Sequence, residues 1–187
     1  GYINEDGHII YIDRVADLKT LSSGVKFSPQ YIESRIKFSP YILDAMVVGE
    51  EIGDFVGAII NLDFRNVGKW AEDRNIPYTT FTDLSQKAQV RELIGSELAR
   101  LNKHLPENAR IKKFINLHKP FDPDEADLTR TRKIRREFME KRYGNLINAI
   151  YSGKDEVIEE TAITYQDGRE GTITTNIKVN VVGDIKK

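Results

Sequence analysis

The residues best suited to take part in a reaction lie in the stretch 127–136, which reads Asp-Leu-Thr-Arg-Thr-Arg-Lys-Ile-Arg-Arg. It follows a turn-forming segment, 119–126, and precedes a helical pattern over 134–143. The sequence therefore predicts that Lys133 is presented on a loop at the start of a helix, among arginines and two threonine hydroxyls. An ammonium group on a flexible stem is suited to neutralising charge on the oxygens of a nucleotide or an acyl phosphate.

Two other interpretations of the basic segment 130–142 compete with this one. The first is a solvated basic helix face, which is common on protein surfaces. The second is a phosphate-contacting patch for nucleic acid, and it is less favoured because no aromatic platform is interleaved with the basic residues. On the residues alone, all three interpretations stay open.

Composition restricts the remaining classes of function. The chain has 187 residues, a hydrophobic share of 40% and a charged share of 30%, typical of one globular domain with a small appendage. A formal net charge of -1 argues against a general nucleic-acid binder. The absence of cysteine excludes disulfides, thiolate metal sites and a cysteine nucleophile. The three scattered histidines show no metal-ligand spacing, so no metal site is predicted.

Location and chain boundaries are predicted from what the sequence contains at its start and along its length. No apolar run approaches the length of a membrane span, and no signal-peptide pattern opens the chain. We therefore expect a cytoplasmic protein. The chain begins with Gly1 and runs at once into a turn and a strand, so we expect a domain cut from a longer protein.

Two weaker candidates lie near the start of the chain. Arg14 follows a predicted strand, where its guanidinium can hold a ribose or a phosphate. A surface ion pair of Arg14 with Asp13 or Asp17 is the simpler interpretation. Gly24, within the polar loop 20–26, can adopt a positive φ and let a ligand approach the backbone. No phosphate-cradling glycine motif and no Ser-His-Asp set is present.

The elements around these residues predict an α+β class, a small layered domain with mainly antiparallel strands flanked by helices, plus a C-terminal β-hairpin. Ser28 and Pro29 predict the start of a helix that stops near residue 39. Segments 42–48 and 55–64 predict an antiparallel strand pair, and a stripe of period 3.6 predicts the longest helix over 86–104. The other predictions are a strand over 8–12, a short helix capped by Asn66 and ending near 74, a loop over 79–85, a strand over 112–117, helices over 134–143 and after Gly144, and a separable hairpin of 156–165 and 172–182.

Three blocks carry a resemblance to a known family. The first block is 5–19, which reads Glu-Asp-Gly-His-Ile-Ile-Tyr-Ile-Asp-Arg-Val-Ala-Asp-Leu-Lys. The second is 24–33, Gly-Val-Lys-Phe-Ser-Pro-Gln-Tyr-Ile-Glu, followed at 45–49 by Ala-Met-Val-Val-Gly. The third is 128–136. In order and spacing they resemble the C-terminal domain of adenylate-forming enzymes, which include AMP-forming acyl-CoA ligases, luciferases and peptide-synthetase adenylation domains. The third block is similar to the Leu-Thr-x-Thr-x-Lys pattern of the long-chain subgroup. The resemblance extends to about residue 152.

The resemblance implies a two-step reaction. A fatty acid carboxylate attacks the α-phosphate of ATP to give acyl-AMP and pyrophosphate, and the thiol of coenzyme A then displaces AMP. Lys133 would act in the first step, bridging the carboxylate and the α-phosphate. The domain would rotate between the steps and present a different face to the second.

The resemblance also assigns roles to individual residues. Arg14 and Lys26 would bind the nucleotide, although several relatives have arginine where Lys26 stands. The hinge would comprise Asp13, Ala16 and Asp17, with Ala16 standing where many relatives place a charged residue. The loop formed by Ser22, Ser23 and Gly24 would approach the coenzyme A channel. Lys133 follows Arg132, where glycine is common in the family.

The implied domain organisation places a strand and lead-in at 1–13, the mobile C-terminal domain at 14–152 and the hairpin extension at 153–187. The partners would be an N-terminal large domain of the same polypeptide, ATP and AMP, a fatty acid and coenzyme A, with no nucleic acid and no transmembrane segment. The large domain would supply Mg²⁺, and this chain alone would bind no cofactor and be inactive. Peripheral association of the full-length enzyme with a membrane is left open. The alternative is a standalone nucleotide-, carrier- or nucleic-acid-binding module that uses 130–142.

Overall fold

The computed structural model describes residues 2–3, 7–10, 18–49, 53–122, 124, 126–131, 133–164 and 170–183. Its strands are β1 (Tyr2–Ile3), β2 (Ile9–Ile10), β3 (Lys19–Thr20), β4 (Lys26–Phe27), β5 (Ile42–Val48), β6 (Val56–Leu62), β7 (Ile111–Asn116), β8 (Glu156–Thr164) and β9 (Glu170–Val181). Its helices are α1 (Pro29–Ile36), α2 (Phe64–Glu72), α3 (Phe81–Gln86), α4 (Ala88–Asn102), α5 (Arg136–Arg142) and α6 (Gly144–Tyr151).

Five strands form the central sheet in the order β5-β6-β7-β9-β8. The pairings β5–β6, β7–β9 and β8–β9 are antiparallel, and β6–β7 is parallel. The shorter pairs β1–β2 and β3–β4 are separate two-stranded ribbons. The predicted α+β class with mainly antiparallel strands is confirmed.

Local capping explains where the first helices begin. The Ser28 hydroxyl accepts the Tyr31 N–H at 3.1 Å and caps α1, with Pro29 in its first turn, as predicted. The predicted cap of α2 is wrong: Asp63 is the cap, and its carboxylate accepts the Asn66 N–H at 2.9 Å. Both residue types cap helices well, and the Asn66 amide instead donates to the Pro40 carbonyl at 2.7 Å.

The predicted loop over 79–85 is also wrong for most of its length. Residues Phe81–Gln86 form α3, and the Thr80 hydroxyl caps it by accepting the Asp83 N–H at 3.1 Å. With six residues, α3 is too short to show a helical apolar period in the sequence. Its Leu84 is fully buried, so tertiary packing stabilises this turn of helix.

The sheet separates two hydrophobic cores, and this explains the near-continuous apolar character of β5 and β6. The first core joins one face of the sheet to the helices α1–α4. The second core joins the other face to α5 and α6. Representative first-core residues are Ile32, Ile36, Ala45, Val47, Ala58, Ile60, Val67, Leu84, Val90, Ile94, Leu98 and Phe114. Second-core residues include Met46, Ile59, Ile115, Leu117, Leu128, Met139, Tyr143, Leu146, Ile147, Ile150 and Ile177.

The C-terminal hairpin is confirmed as a hairpin, with β8 and β9 paired from Glu156↔Lys178 to Thr164↔Glu170. It is not separable from the body, however. Its strand β9 continues past the hairpin and pairs with β7 at Ile115↔Val179 and Lys113↔Val181. Ile177 is fully buried in the second core. The alternating pattern predicted the strands, but it carried no information about which neighbour they join.

Candidate active-site loop

Lys133 lies on a closed loop whose two arms are bonded to each other. The Thr129 N–H donates to the Lys133 carbonyl at 2.8 Å, and the Lys133 N–H donates to the Thr129 hydroxyl at 3.0 Å. The hydroxyls of Thr129 and Thr131 are 3.0 Å apart. Next to Thr129 and Lys133, on the side away from the loop tip, Leu128 and Ile134 form an antiparallel bridge. The backbone of Lys133 is thus fixed while its side chain is exposed.

The base of this loop rests on a buried carboxylate. Asp127 has no exposed surface, and its Oδ1 accepts from Arg142 Nη1 at 3.1 Å. Its Oδ2 accepts the Tyr143 hydroxyl at 3.3 Å and the Asp122 N–H at 3.1 Å. The Arg135 N–H donates to the Asp127 carbonyl at 3.1 Å, which closes the loop.

The residue that opens α5 ties the other side of the loop to the edge of the sheet. Arg136 Nη2 lies 2.5 Å from Glu33 Oε1, and Arg136 Nη1 donates to the Val47 carbonyl at 2.8 Å. Glu33 Oε1 also accepts the Val47 N–H at 2.8 Å. Burial raises the pKa of the Glu33 carboxyl, and the Arg136 guanidinium opposes that rise. Side chains from α1 and α5 therefore satisfy both backbone groups of Val47 on the outer edge of β5.

Lys133 faces a groove of about 440 Å³ along α1. The polar side chains that line it include Lys19, Gln30, Ser34, Lys37, Lys133 and Arg136. Lys37 pairs with the buried Asp44 at 2.6 Å. Among the described residues, no acidic side chain pairs with Lys133. The groove thus combines the ion pairs Lys37–Asp44 and Arg136–Glu33 with the exposed ammonium of Lys133.

A second groove, of about 680 Å³, lies between α4 and β9. Arg91 Nη1 donates to Asn180 Oδ1 there at 3.1 Å, and Asn180 Nδ2 donates to the Phe114 carbonyl at 3.4 Å. These hydrogen bonds hold β9 against the body, so Arg91 and Asn180 contribute to the packing of β9 in this groove.

The loop between β3 and β4 is bonded to Gly53, which precedes β6. The Ser22 N–H donates to the Gly53 carbonyl at 3.1 Å, and the Gly24 N–H donates to the Leu21 carbonyl at 2.8 Å. Gly24 has φ = 81°, as its position in the turn requires. Ser22, Ser23 and Gly24 are exposed. The turn expected from the sequence is present, and its role toward coenzyme A stays a prediction.

Of the other predicted site residues, the structure describes Lys26. Lys26 lies on β4, paired opposite Thr20, and is exposed. The predicted hinge and nucleotide residues Asp13, Arg14, Ala16 and Asp17 lie outside the described residues, as does the end of the strand predicted over 8–12. Their roles stay predictions.

The basic segment 130–142 is partly used inside the protein. Arg136 and Arg142 are committed to the ion pairs with Glu33 and Asp127, and Arg135 stacks over Phe138 at 5.4 Å. Within the described part of the chain, no cluster of three or more histidine, aspartate or glutamate residues is placed to hold a metal ion. In the same part, no helix combines the length and apolar character that crossing a bilayer requires.

Comparison with known families identifies the domain that carries this loop. The family model of the AMP-binding enzyme C-terminal domain matches residues 16–155, which include Asp127, Lys133 and Arg136. The chain belongs to this family. The matched region ends at residue 155, one residue before β8 begins. The hairpin formed by β8 and β9 therefore lies outside the matched region.

Curated relatives of the domain are fatty acyl-CoA ligases. A long-chain-fatty-acid–CoA ligase of Mycobacterium tuberculosis is 26% identical over 153 residues, which cover 81% of this chain and 25% of that protein. Long-chain-fatty-acid–CoA ligase 1 of Homo sapiens is 28% identical over 153 residues, covering 79% of this chain and 21% of that protein. The chain therefore spans about a quarter of the length of the curated relatives it matches.

Solved structures confirm the fold. The adenylation domain of a carboxylic acid reductase from Segniliparus rugosus superposes with a TM-score of 0.62 at 20% identity, covering 78% of this chain and 21% of that one. The corresponding domain from Mycobacterium chelonae gives the same TM-score and identity, covering 80% of this chain and 24% of that one. These likenesses establish the α+β architecture of the AMP-binding enzyme C-terminal domain.

Sequence reasoning missed two residues that build the loop. It noted two hydroxyls near Lys133 without seeing that the Thr129 hydroxyl binds the Lys133 amide. It also passed over Asp127, whose partners lie 15 and 16 residues away along the chain. An aspartate beside an apolar leucine, just after a proline-rich turn, was the available signal, and that signal is weak because aspartate is common in turns.

Proposed function

We propose that this domain is the mobile C-terminal lobe of an AMP-forming long-chain fatty acyl-CoA ligase. Three findings support the proposal: the family match over 16–155, the long-chain ligases among its relatives, and an exposed Lys133 on an internally braced loop. The single observation that carries the site is the exposed ammonium, which no described acidic side chain neutralises.

The proposed chemistry has two half-reactions. In the first, a carboxylate oxygen of the fatty acid attacks the α-phosphorus of ATP, and the bond to the β-phosphate oxygen breaks to release pyrophosphate. In the second, the coenzyme A thiolate attacks the acyl carbonyl and AMP leaves. Lys133 would neutralise negative charge on the attacking carboxylate and the α-phosphate in the first step, which is electrostatic stabilisation combined with positioning.

The proposed partner is a large domain of the same polypeptide that holds ATP, the fatty acid, coenzyme A and Mg²⁺. Rotation about the segment containing Asp13, Ala16 and Asp17 would exchange the Lys133 loop for the face that contains Ser22, Ser23 and Gly24. Small hinge segments of this kind absorb domain rotations through a few backbone torsions. Arg14 and Lys26 would contact the nucleotide, and a cytoplasmic location accompanies this function.

The decisive experiment is Lys133→Ala in the full-length protein. We expect the rate of adenylation, measured by ATP–pyrophosphate exchange, to fall by about a hundredfold or more. Losses of this size accompany the removal of a preorganised electrostatic contact to the transition state. Thioester formation from supplied acyl-AMP should stay within about twofold, because Lys133 does not act in that step.

Lys141→Ala is the matched control, since Lys141 is an exposed lysine of the same basic segment. If Lys133 acts as a positioned catalytic residue, the control should retain adenylation. Equal losses in the two variants would indicate a general basic surface. Normal adenylation by Lys133→Ala would contradict the proposed role.

A further inference from the structure

Asp127 couples the Lys133 loop to the two helices that follow it. Arg142 is the last residue of α5, and Tyr143 joins α5 to α6. Both donate to the Asp127 carboxylate, whose side chain has no exposed surface, while the side chain of Arg142 is 26% exposed. Both carboxylate oxygens of Asp127 thus accept hydrogen bonds, as buried polar groups in proteins generally do, and the contact is specific in its geometry.

The backbone transmits this anchor to Lys133 through three successive contacts. The Asp127 carbonyl accepts from the Arg135 N–H, Leu128 bridges Ile134, and Thr129 exchanges hydrogen bonds with Lys133. Asp127 lies at the start of this series of contacts. Its side chain is bonded both to Asp122, before the loop, and to Arg142 and Tyr143 at the α5–α6 junction, after it.

The backbone just before the anchor is in an uncommon conformation. Ala126 has φ = 66°, in the left-handed region that residues with a Cβ seldom adopt. The Asp127 N–H, which follows it, donates to the Asp122 carbonyl at 3.0 Å. The surrounding hydrogen bonds hold this turn in place, as expected of a conformation that persists only when its neighbours determine it.

We propose that Asp127 is a positioning residue for Lys133, and that the Lys133 loop is carried as a fixed part of the domain. This inference rests on the proposed function. Asp127 does not touch substrate. It holds the base of the loop on the α5–α6 junction, so that domain rotation alone delivers the ammonium to the reacting oxygens. A misplacement of about 1 Å in such an arrangement can cost about a hundredfold in rate.

The test is Asp127→Asn in the full-length protein, with Asp124→Asn as the matched control. Asp124 is exposed, and its backbone N–H donates to Asp122 Oδ1 at 2.8 Å, a bond that does not involve its own side chain. We expect the kcat of adenylation to fall by about tenfold to a hundredfold in Asp127→Asn, with the KM for ATP and for the fatty acid changed by less than about threefold. Thioester formation from acyl-AMP should be retained, and the control should resemble the wild type.

Tyr143→Phe provides a milder variant in case Asp127→Asn does not fold. It removes the 3.3 Å hydroxyl contact with Asp127 and keeps the buried ring. We expect it to lower adenylation several-fold with thioester formation intact. Amide hydrogen exchange gives a readout that is independent of activity: the Lys133 and Thr129 amides should lose protection in both variants, while amides of β5 and β6 keep theirs.

The outcomes separate this inference from the proposed function. Loss of adenylation in Lys133→Ala but not in Asp127→Asn or Tyr143→Phe overturns the positioning role alone. Normal adenylation in Lys133→Ala overturns the proposed function, whatever Asp127 does. An equal loss of both half-reactions in Tyr143→Phe would show a general structural role and would also overturn the inference.

Discussion

At the scale of single residues, burial divides the ionisable side chains of this domain into two groups. Glu33 and Asp127 are buried, their arginine partners are half-buried, and the two ion pairs hold elements together. Lys133 is exposed and has no described acidic partner. The sequence identified the lysine because its neighbours form a recognisable pattern. It did not separate Arg136 and Arg142 from the other basic residues, because their partners are far away along the chain.

His118 should make stability depend on pH. It is 6% exposed, and burial, with smaller contributions from Lys119 and Arg142, lowers its pKa from 6.5 to about 4. Between these values the unfolded chain binds a proton that the folded protein does not, so stability is full above pH 6.5 and falls as the pH falls toward 4. The loss should be on the order of 2 kcal/mol by about pH 4.5.

The measurement is urea unfolding of the wild type and of His118→Gln at several pH values. The difference in unfolding free energy between the two proteins isolates this histidine from the carboxylates that titrate in the same range. A difference that is constant from pH 7 to about pH 4.5 would show that His118 does not titrate as its burial predicts.

At the scale of elements, the side chain of Tyr151 joins the end of α6 to Phe55, the residue just before β6. The Tyr151 hydroxyl donates to the Phe55 carbonyl at 3.2 Å, and the two rings lie 4.9 Å apart. Burial raises the pKa of the Tyr151 hydroxyl. Gly53 and Gly57 leave the space that the Tyr151 side chain occupies.

Gly53→Ala should therefore destabilise the domain by about 2 kcal/mol, because the new Cβ would lie 2.2 Å from the Tyr151 ring. Gly144→Ala is the matched control. Gly144 is the first residue of α6, and a Cβ there would meet nothing within 4 Å. It should leave stability unchanged or raise it slightly. Thermal unfolding of both variants checks the prediction, and a control as unstable as Gly53→Ala would contradict it.

The elements that could be predicted from the sequence are those specified by local signals. Ser28 and Pro29 predicted the start of α1, the period of 3.6 predicted α4, and the apolar run over 42–48 predicted β5. Elements that depend on distant packing could not be predicted: the sequence indicates a loop where α3 forms, and it gives no signal for the parallel pairing of β6 with β7. In the site, the resemblance located Lys133, but nothing local indicated the partners of Asp127.

At the scale of the whole molecule, the second core depends on a strand outside the matched family region. β9 contributes Ile177, which is fully buried against α5, α6 and the sheet. On the opposite face of the same hairpin, Ile158 is 63% exposed. The hairpin is thus both a part of the sheet and the carrier of a core residue.

Ile177→Ala should lower the free energy of unfolding by about 3 kcal/mol, since it removes buried methyl groups and leaves a cavity. Ile158→Ala, the same chemical change in the same hairpin, should cost less than about 0.5 kcal/mol. Chemical denaturation measures both. If the two variants are equally stable, the hairpin does not complete the core.

The position of β9 in the sheet also has a consequence for biosynthesis. β9 pairs with β7, yet it follows every other strand of the sheet in chain order. As the polypeptide leaves the ribosome, β5, β6 and β7 can assemble while Ile177 has not yet been synthesised. The apolar side of the sheet that receives α5 and α6 therefore stays incompletely covered until β9 has been added, and its exposed apolar side chains favour aggregation of the nascent chain during that interval.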